Sequence, residues 1–237
     1  MQPSLIFVPG NMCDARLWHE VNDIPGWATV DAPPLGQASI PAMASAVLAK
    51  LHGPIIPLGF SMGGIVALEM ARQAPEWVKA MVLIDTNAGA DLPERATLRP
   101  VQQARVRNGE MATIIADELK PAYLAAANRD DDVLKQLLVD MAMDLGEDVF
   151  VAQSEALRTR DDLGPVLGTF DGPIAVMCGA EDRLCPLEWH EAMALRAKDG
   201  RLTIIPGAAH MLPLEQPAAF SAALISWLDD YRGEFYA

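Results

Sequence analysis

Ser61 is the residue whose surroundings most plainly suggest covalent chemistry. It stands in Pro54-Ile55-Ile56-Pro57-Leu58-Gly59-Phe60-Ser61-Met62-Gly63-Gly64, with Gly59 and Gly63 two residues away on either side. That spacing matches a nucleophile elbow, a sharp strand-to-helix turn in which a strained serine is pushed out and larger neighbours would collide. Glycine and serine are common enough to place this pattern in roughly one random chain in ten of this length, so the flanking segments must decide. They favour the elbow: Ile55 to Leu58 can form a buried strand, and Ile65 to Met70 continues as helix.

A serine hydroxyl at its ordinary pKa is a weak nucleophile and needs a base, which in turn needs an orienting acid. The chain has four histidines. His19 and His52 lie in helix-like segments and His190 follows Trp189 on a helix face, so all three read as surface or packing residues. His210 sits in Pro206-Gly207-Ala208-Ala209-His210-Met211-Leu212-Pro213, a loop after the last strand, and is the expected base. Asp182, directly after the strand ending at Cys178, is the expected acid. Glu181 is the substitute if the turn is displaced by one residue. Asp85, also at a strand end, is the rival, though a loop-capping role suits it better. An oxyanion requires two fixed N–H donors. Met62 offers one at a helix N-terminus, where unpaired donors and the helix dipole favour negative charge. The loop Val8-Pro9-Gly10-Asn11-Met12 should offer the other, with Asn11 first and Met12 second, and Gly10 permitting the turn.

These residues need a scaffold that gathers strand ends. Short apolar runs recur at Leu5–Val8, Ala28–Val30, Ile55–Leu58, Ala80–Ile84, Ile174–Cys178 and Leu202–Ile205. Helical patterns fall between them at 39–52, 62–74, 188–198 and 217–231, the last with Phe220, Ala223, Leu224, Trp227 and Leu228 on one face. The alternation predicts an α/β protein with a mostly parallel sheet of about six strands and helices on both faces. Polar clusters follow the strands, so ligands are expected at the carboxyl edge of the sheet. From about 88 to 168 the alternation stops, and helical patterns run over 93–107, 110–119, 131–145 and 147–160. This segment reads as a helical cap. Its Met111, Ile114, Ile115, Leu119, Leu137, Leu138, Met141, Met143 and Leu145 could line a pocket, although packing of cap on core is the simpler role for each.

The chain has 237 residues, 51% of them hydrophobic, which suffices for one large domain carrying an insertion. A net charge of −14 opposes binding to nucleic acid. No apolar run reaches membrane-spanning length, and the opening residues lack a basic leader region, so the expected compartment is the cytoplasm. Three cysteines, Cys13, Cys178 and Cys185, show no metal-type spacing and read as reduced thiols filling apolar space. Four arginines near the cap entrance, Arg95, Arg99, Arg105 and Arg107, could attract an acidic substrate, but solvated helix faces account for them more simply.

Three stretches carry a resemblance to a known family: Gly-Phe-Ser-Met-Gly-Gly at 59–64, Gly-Ala-Glu-Asp-Arg at 179–183, and Gly-Ala-Ala-His-Met-Leu-Pro-Leu-Glu-Gln-Pro at 207–217. Over nearly its whole length the chain resembles the compact α/β-hydrolase fold proteins, similar to their small serine esterases, enol-lactonases and cofactor-free perhydrolases. The order serine, aspartate, histidine agrees with that fold. The resemblance implies Ser61 as nucleophile, Asp182 as acid and His210 as base, with no cofactor and no metal. Two departures stand out. Pro9 occupies a place where many relatives have histidine, and the usual first two antiparallel strands are missing. The expected organisation is a core of residues 1–87 and 169–237 and a cap of 88–168. The expected activity is hydrolysis of a small to medium carboxylic ester through an acyl-enzyme, with a small-molecule substrate as the partner. Carbon–carbon cleavage, lactone opening, acyl transfer and peracid formation would use the same triad, and a capped, non-catalytic ligand sensor is the alternative from another class.

Overall fold

The computed structural model describes residues 2–119 and 123–235. The expected core and cap ranges also run over residues 1, 120–122, 236 and 237, which lie outside the described residues. Six parallel strands form one sheet: β1 (Ser4–Val8), β2 (Thr29–Asp31), β3 (Ile55–Phe60), β4 (Met81–Ile84), β5 (Ile174–Gly179) and β6 (Gly200–Ile205). Their order across the sheet is β2-β1-β3-β4-β5-β6. The strand at 28–30 is displaced by one residue, because Thr29–Asp31 is the segment that registers with Leu5–Phe7 at the edge.

Side chains in a strand alternate between faces, and the sequence obeys that period on both sides of the sheet. Leu5, Phe7, Ile56, Leu58, Phe60, Val82, Ile84, Ala175 and Met177 pack on one face against Phe220, Leu224, Trp227 and Leu228 of the C-terminal helix. Ile6, Val8, Met81, Leu83, Ile174 and Val176 pack on the other. That second face is covered by α1 (Ile40–Leu48) and α2 (Met62–Gln73), joined later in the chain by further helices. Strands buried on both faces read as continuous apolar runs, which is why β3, β4 and β5 are legible without any polar alternation.

Between β4 and β5 the chain leaves the sheet and forms a helical insertion. It contains α3 (Pro93–Arg105), α4 (Met111–Thr113) and α5 (Asp132–Arg158), with π-helical stretches at Val106–Glu110 and Ile114–Leu119. The long α5 is interrupted at Gly146, whose φ of 81° and ψ of 175° are not helical. The two patterns at 131–145 and 147–160 are therefore two helical arms of one element. The insertion has its own small core, in which Val106, Met111, Ile114, Ile115, Ala142 and Phe150 surround Met12. After it come α6 (Gly164–Thr169), α7 (Leu187–Arg196), α8 (Leu212–Glu215) and α9 (Pro217–Phe235). No helix among the described residues is long and apolar enough to cross a membrane.

Candidate active site

Ser61 links β3 to α2 with a φ of 51° and ψ of −116°, outside the regions that a side chain ordinarily tolerates. Its N–H donates to Ile84 O at 2.8 Å, and its carbonyl accepts from Thr86 Oγ1 at 2.6 Å and from Gly64 N at 2.9 Å. The turn closes only because its neighbours are bare: a Cβ on Gly63 would run into the carbonyl oxygen of Val8, and one on Gly59 into that of Gly63. A serine at a helix N-cap usually bonds back to the backbone. Ser61 makes no such cap bond, so its hydroxyl is available elsewhere.

That hydroxyl meets His210. The Nε2 of His210 lies 3.0 Å from Ser61 Oγ, and its Nδ1 lies 2.8 Å from Asp182 Oδ2. With Nδ1–H donating to Asp182, Nε2 is left as an acceptor facing the serine hydroxyl. His210 is 1% exposed, its ring set between Phe60 and Tyr123 at centroid distances of 5.3 and 5.2 Å. Burial pushes the Asp182 carboxyl up, but His210 and the N–H groups of Cys185 and Leu184 outweigh it and hold the group below its ordinary range. Asp182 is therefore an anion placed to orient an imidazole and to stabilise an imidazolium.

Residues away from the serine hold this geometry. Glu215 Oε1 accepts from the N–H groups of Ala209 and Met211 on either side of His210, at 2.8 and 3.2 Å. Its Oε2 accepts from Ala125 N at 2.6 Å and Asn128 Nδ2 at 2.9 Å, so one carboxylate ties the histidine loop to the insertion. Asp85 accepts from Gly179 N at 2.9 Å and Leu212 N at 3.1 Å, the loop-binding role expected of it. Burial and the nearby Asp182 raise Asp85 well above the usual carboxylate range, against those two N–H bonds. Glu181 stands apart from the relay, exposed, with Oε2 accepting from Ala126 N at 3.0 Å.

The other histidines divide. His19 and His52 are exposed, His52 lying beyond the end of α1 and not within a helix. His190 is wholly buried, its Nε2 accepting from Thr86 N at 3.1 Å and its Nδ1 lying 3.2 Å from Pro186 O. A helix-face pattern could not reveal that it braces the loop after β4.

Asn11, Met62 and Ser61 line one cavity of about 230 Å³. Met62 opens α2, where its N–H has no partner within the helix. In the facing loop, the N–H of Met12 is committed to Gln153 Oε1 at 2.8 Å, which leaves the Asn11 position toward the cavity. Gln153 comes from α5 and is 1% exposed. It also accepts from Asn11 Nδ2 at 3.1 Å and donates to Leu35 O at 2.8 Å. No local pattern marked it. Gly10 permits the turn of this facing loop through space rather than φ: Cys13 N–H closes onto Gly10 O at 3.2 Å, a Cβ on Gly10 would press into the Phe60 ring, and the positive φ, 51°, belongs to Met12.

The apolar wall of the cavity comes from Ile65, Leu98, Leu119, Phe150, Leu157 and Leu184. Of the insertion residues first considered for a pocket, Leu119 alone lies there. Met111, Ile114, Ile115, Leu138 and Met141 are buried in packing, Leu137 and Leu145 pack partly buried beside them, and Met143 is 43% exposed. Cys178 and Cys185 are buried thiols, and Cys13 is buried as well. Among the described residues, two groups of three could offer metal-ligand atoms, Asp182 with Cys185 and His210, and Asp85 with Asp182 and His190. Their carboxylate oxygens and imidazole nitrogens already serve the hydrogen bonds described above.

A sheet of this order, a strained serine after β3 and an acid and a histidine after β5 and β6 define an α/β hydrolase. The alpha/beta hydrolase family model matches residues 5–223, and the chain belongs to that family. Among curated relatives it is 30% identical over 207 residues to a pimeloyl-[acyl-carrier protein] methyl ester esterase from Neisseria meningitidis serogroup A, over 84% of this chain. The match spans only 64% of that relative's length. It is 28% identical to a 2-succinyl-6-hydroxy-2,4-cyclohexadiene-1-carboxylate synthase from Serratia proteamaculans, over 96% of this chain and 93% of that one. Among solved structures, a thermophilic esterase from Thermogutta terrifontis with malate bound superposes with a TM-score of 0.89 at 27% identity, covering 96% of this chain and 90% of the other.

Proposed function

We propose that the protein is a serine hydrolase that cleaves a small to medium carboxylic ester. The observation that carries this reading is the continuous relay from Asp182 through His210 to Ser61, with contacts of 2.8 and 3.0 Å. Ser61 Oγ attacks the ester carbonyl carbon as His210 Nε2 takes its proton, and Asp182 stabilises the imidazolium formed. The tetrahedral oxyanion accepts from the N–H groups of Met62 and Asn11. Collapse expels the alcohol, which takes the proton from His210, and leaves an acyl-enzyme on Ser61. Water, deprotonated by His210, then releases the acid. The methyl ester in the name of the Neisseria relative supports an ester as the scissile group. Residues 88–168 act as a cap on a core of 1–87 and 169–237, with Leu98, Leu119, Phe150 and Leu157 facing the acyl group. The buried thiols suit the reducing cytoplasm.

Reaction with a fluorophosphonate tests the nucleophile directly. An adduct on Ser61 in the wild type, absent in Ser61→Ala, is expected; a Ser61 that stays unlabelled would overturn the reading.

A further inference from the structure

The cavity beside Ser61 has a charge opposite to that of the chain. The protein carries a net −14, yet the cavity wall holds Arg95, Arg99 and Arg160 and, among the described residues, no aspartate or glutamate. The arginines weighed at the cap entrance separate into two kinds. Arg105 pairs with Glu110 and Glu118, and Arg107 with Asp148, all on the outer surface of the insertion. Arg95 and Arg99 instead turn into the cavity, together with Arg160 from the end of the insertion.

Two of the three guanidinium groups share one carboxylate. Asp91, its side chain 1% exposed, accepts from Arg99 Nε at 2.6 Å and from Arg160 Nη1 at 2.9 Å. Arg160 is otherwise saturated by carbonyls, donating to Gly89 O at 2.9 Å and Leu157 O at 3.2 Å, and it acts as a fixed buried cation. Burial and Arg99 press its pKa down, while Asp91 opposes them. Arg95 is the least committed of the three. Its Nη2 donates to Leu184 O at 3.1 Å, and its guanidinium lies 6.0 Å from the Trp189 ring centroid. Among the described residues, Arg95 Nε and Nη1 and Arg99 Nη1 make no hydrogen bond. The wall therefore keeps a surplus of positive charge and spare donors in a partly dry site. Arg95 and Arg99 are half-buried beside the buried Arg160, where charge is screened less than on the open surface, and arginine pairs closely with a carboxylate.

We infer that Arg95 and Arg99 form a subsite for an anionic group on the acyl side of the substrate, so that the preferred ester is the half-ester of a dicarboxylic acid. The inference rests on Ser61 being the esterase nucleophile only for the word ester; the anion site stands on the cavity alone. The substrate's ester carbonyl would lie at Ser61, its chain along Leu98, Leu119 and Leu157, and its free carboxylate at the two arginines. Asn87 and Tyr123, also on the wall, carry no charge that would offset them.

Binding and turnover test this separately. Calorimetry with monomethyl adipate and the Ser61→Ala protein reads the subsite without catalysis. Binding is expected to weaken at least about tenfold when Arg95→Gln is added, to return with Arg95→Lys, and to be weaker for the neutral dimethyl adipate. No binding of monomethyl adipate, or equal binding of both esters in all backgrounds, would overturn the subsite. In the Ser61 protein, Arg95→Gln should raise KM for monomethyl adipate by a larger factor than KM for dimethyl adipate. Hydrolysis of dimethyl adipate alone would sink the anion subsite and leave the esterase intact. Binding of monomethyl adipate without turnover of either ester would retain the subsite and remove the esterase.

Discussion

The rim formed by the strand ends and the helical insertion above it divide the work unequally. At the rim, three short loops place His210 2.8 Å from Asp182 on one side and 3.0 Å from Ser61 on the other. Their backbones are over-determined: Ser61 is held at φ 51° between Ile84 O and Thr86 Oγ1, and His210 between two N–H bonds to Glu215. The insertion has a small core of its own, π-helical stretches and the break at Gly146, and α3 buries none of its residues. The proposed chemistry is thus confined to a few residues with little freedom, while much of the cavity wall is dispersed over the helical insertion.

The largest effect should follow from breaking the rim at its base. His210→Ala should lower kcat on an activated ester by about 10⁴- to 10⁶-fold, because members of a triad act as a unit. Circular dichroism would check that the fold persists, and turnover near the wild-type rate would exclude His210 as the base. Removal of an outer arginine such as Arg107, paired with the exposed Asp148, has no comparable route to the chemistry.

The same contrast explains what could be read in the chain beforehand. The strands were legible because burial on both faces makes them unbroken apolar runs, as in Met81–Ile84. The serine, aspartate and histidine loops were legible because glycines and polar residues follow those runs directly. Gln153 was not, since its partners lie 118 to 142 residues away, and the tie that Glu215 makes to the insertion spans 87 to 90 residues. His190 looked like any residue on a helix face, yet from α7 it is wholly buried against the loop after β4. The arginines of α3 shared one composition signal, and only the fold sorts Arg95 and Arg99 from Arg105 and Arg107.

Gln153 joins the two regions. Its carboxamide oxygen accepts from the Met12 N–H at 2.8 Å and its nitrogen donates to Leu35 O. Gln153→Leu removes both and leaves a buried N–H unpaired, at a cost of about 1–3 kcal/mol. The loop carrying Asn11 should shift, and a displacement near 1 Å at a reacting centre can cost about 10²-fold in rate. The expected result is a fall in kcat larger than any change in KM, partly restored in Gln153→Glu, which keeps the acceptor. Equal kinetics in Gln153→Leu would show that the rim holds its donor loop without the insertion.

A smaller effect, on stability, should also belong to the rim. His190 is buried with both ring nitrogens engaged, Nε2 accepting from Thr86 and Nδ1 donating to Pro186. Burial holds its pKa below the ordinary value; Asp182 and the Pro186 carbonyl oppose that, and His210 adds to it. As pH falls, the unfolded chain takes up the proton first, so this contribution is complete above about pH 6.5 and is lost as pH falls through the lower folded value. Protonation would also aim a new N–H at the Thr86 N–H. The melting temperature of the wild type should therefore drop more steeply from pH 7.5 to 5 than that of His190→Gln, whose carboxamide oxygen accepts the same bond without titrating. The variant's lower absolute stability does not enter, because only the slopes are compared. Parallel slopes would move the acid sensitivity away from His190, to carboxyls held below their ordinary range such as Asp182.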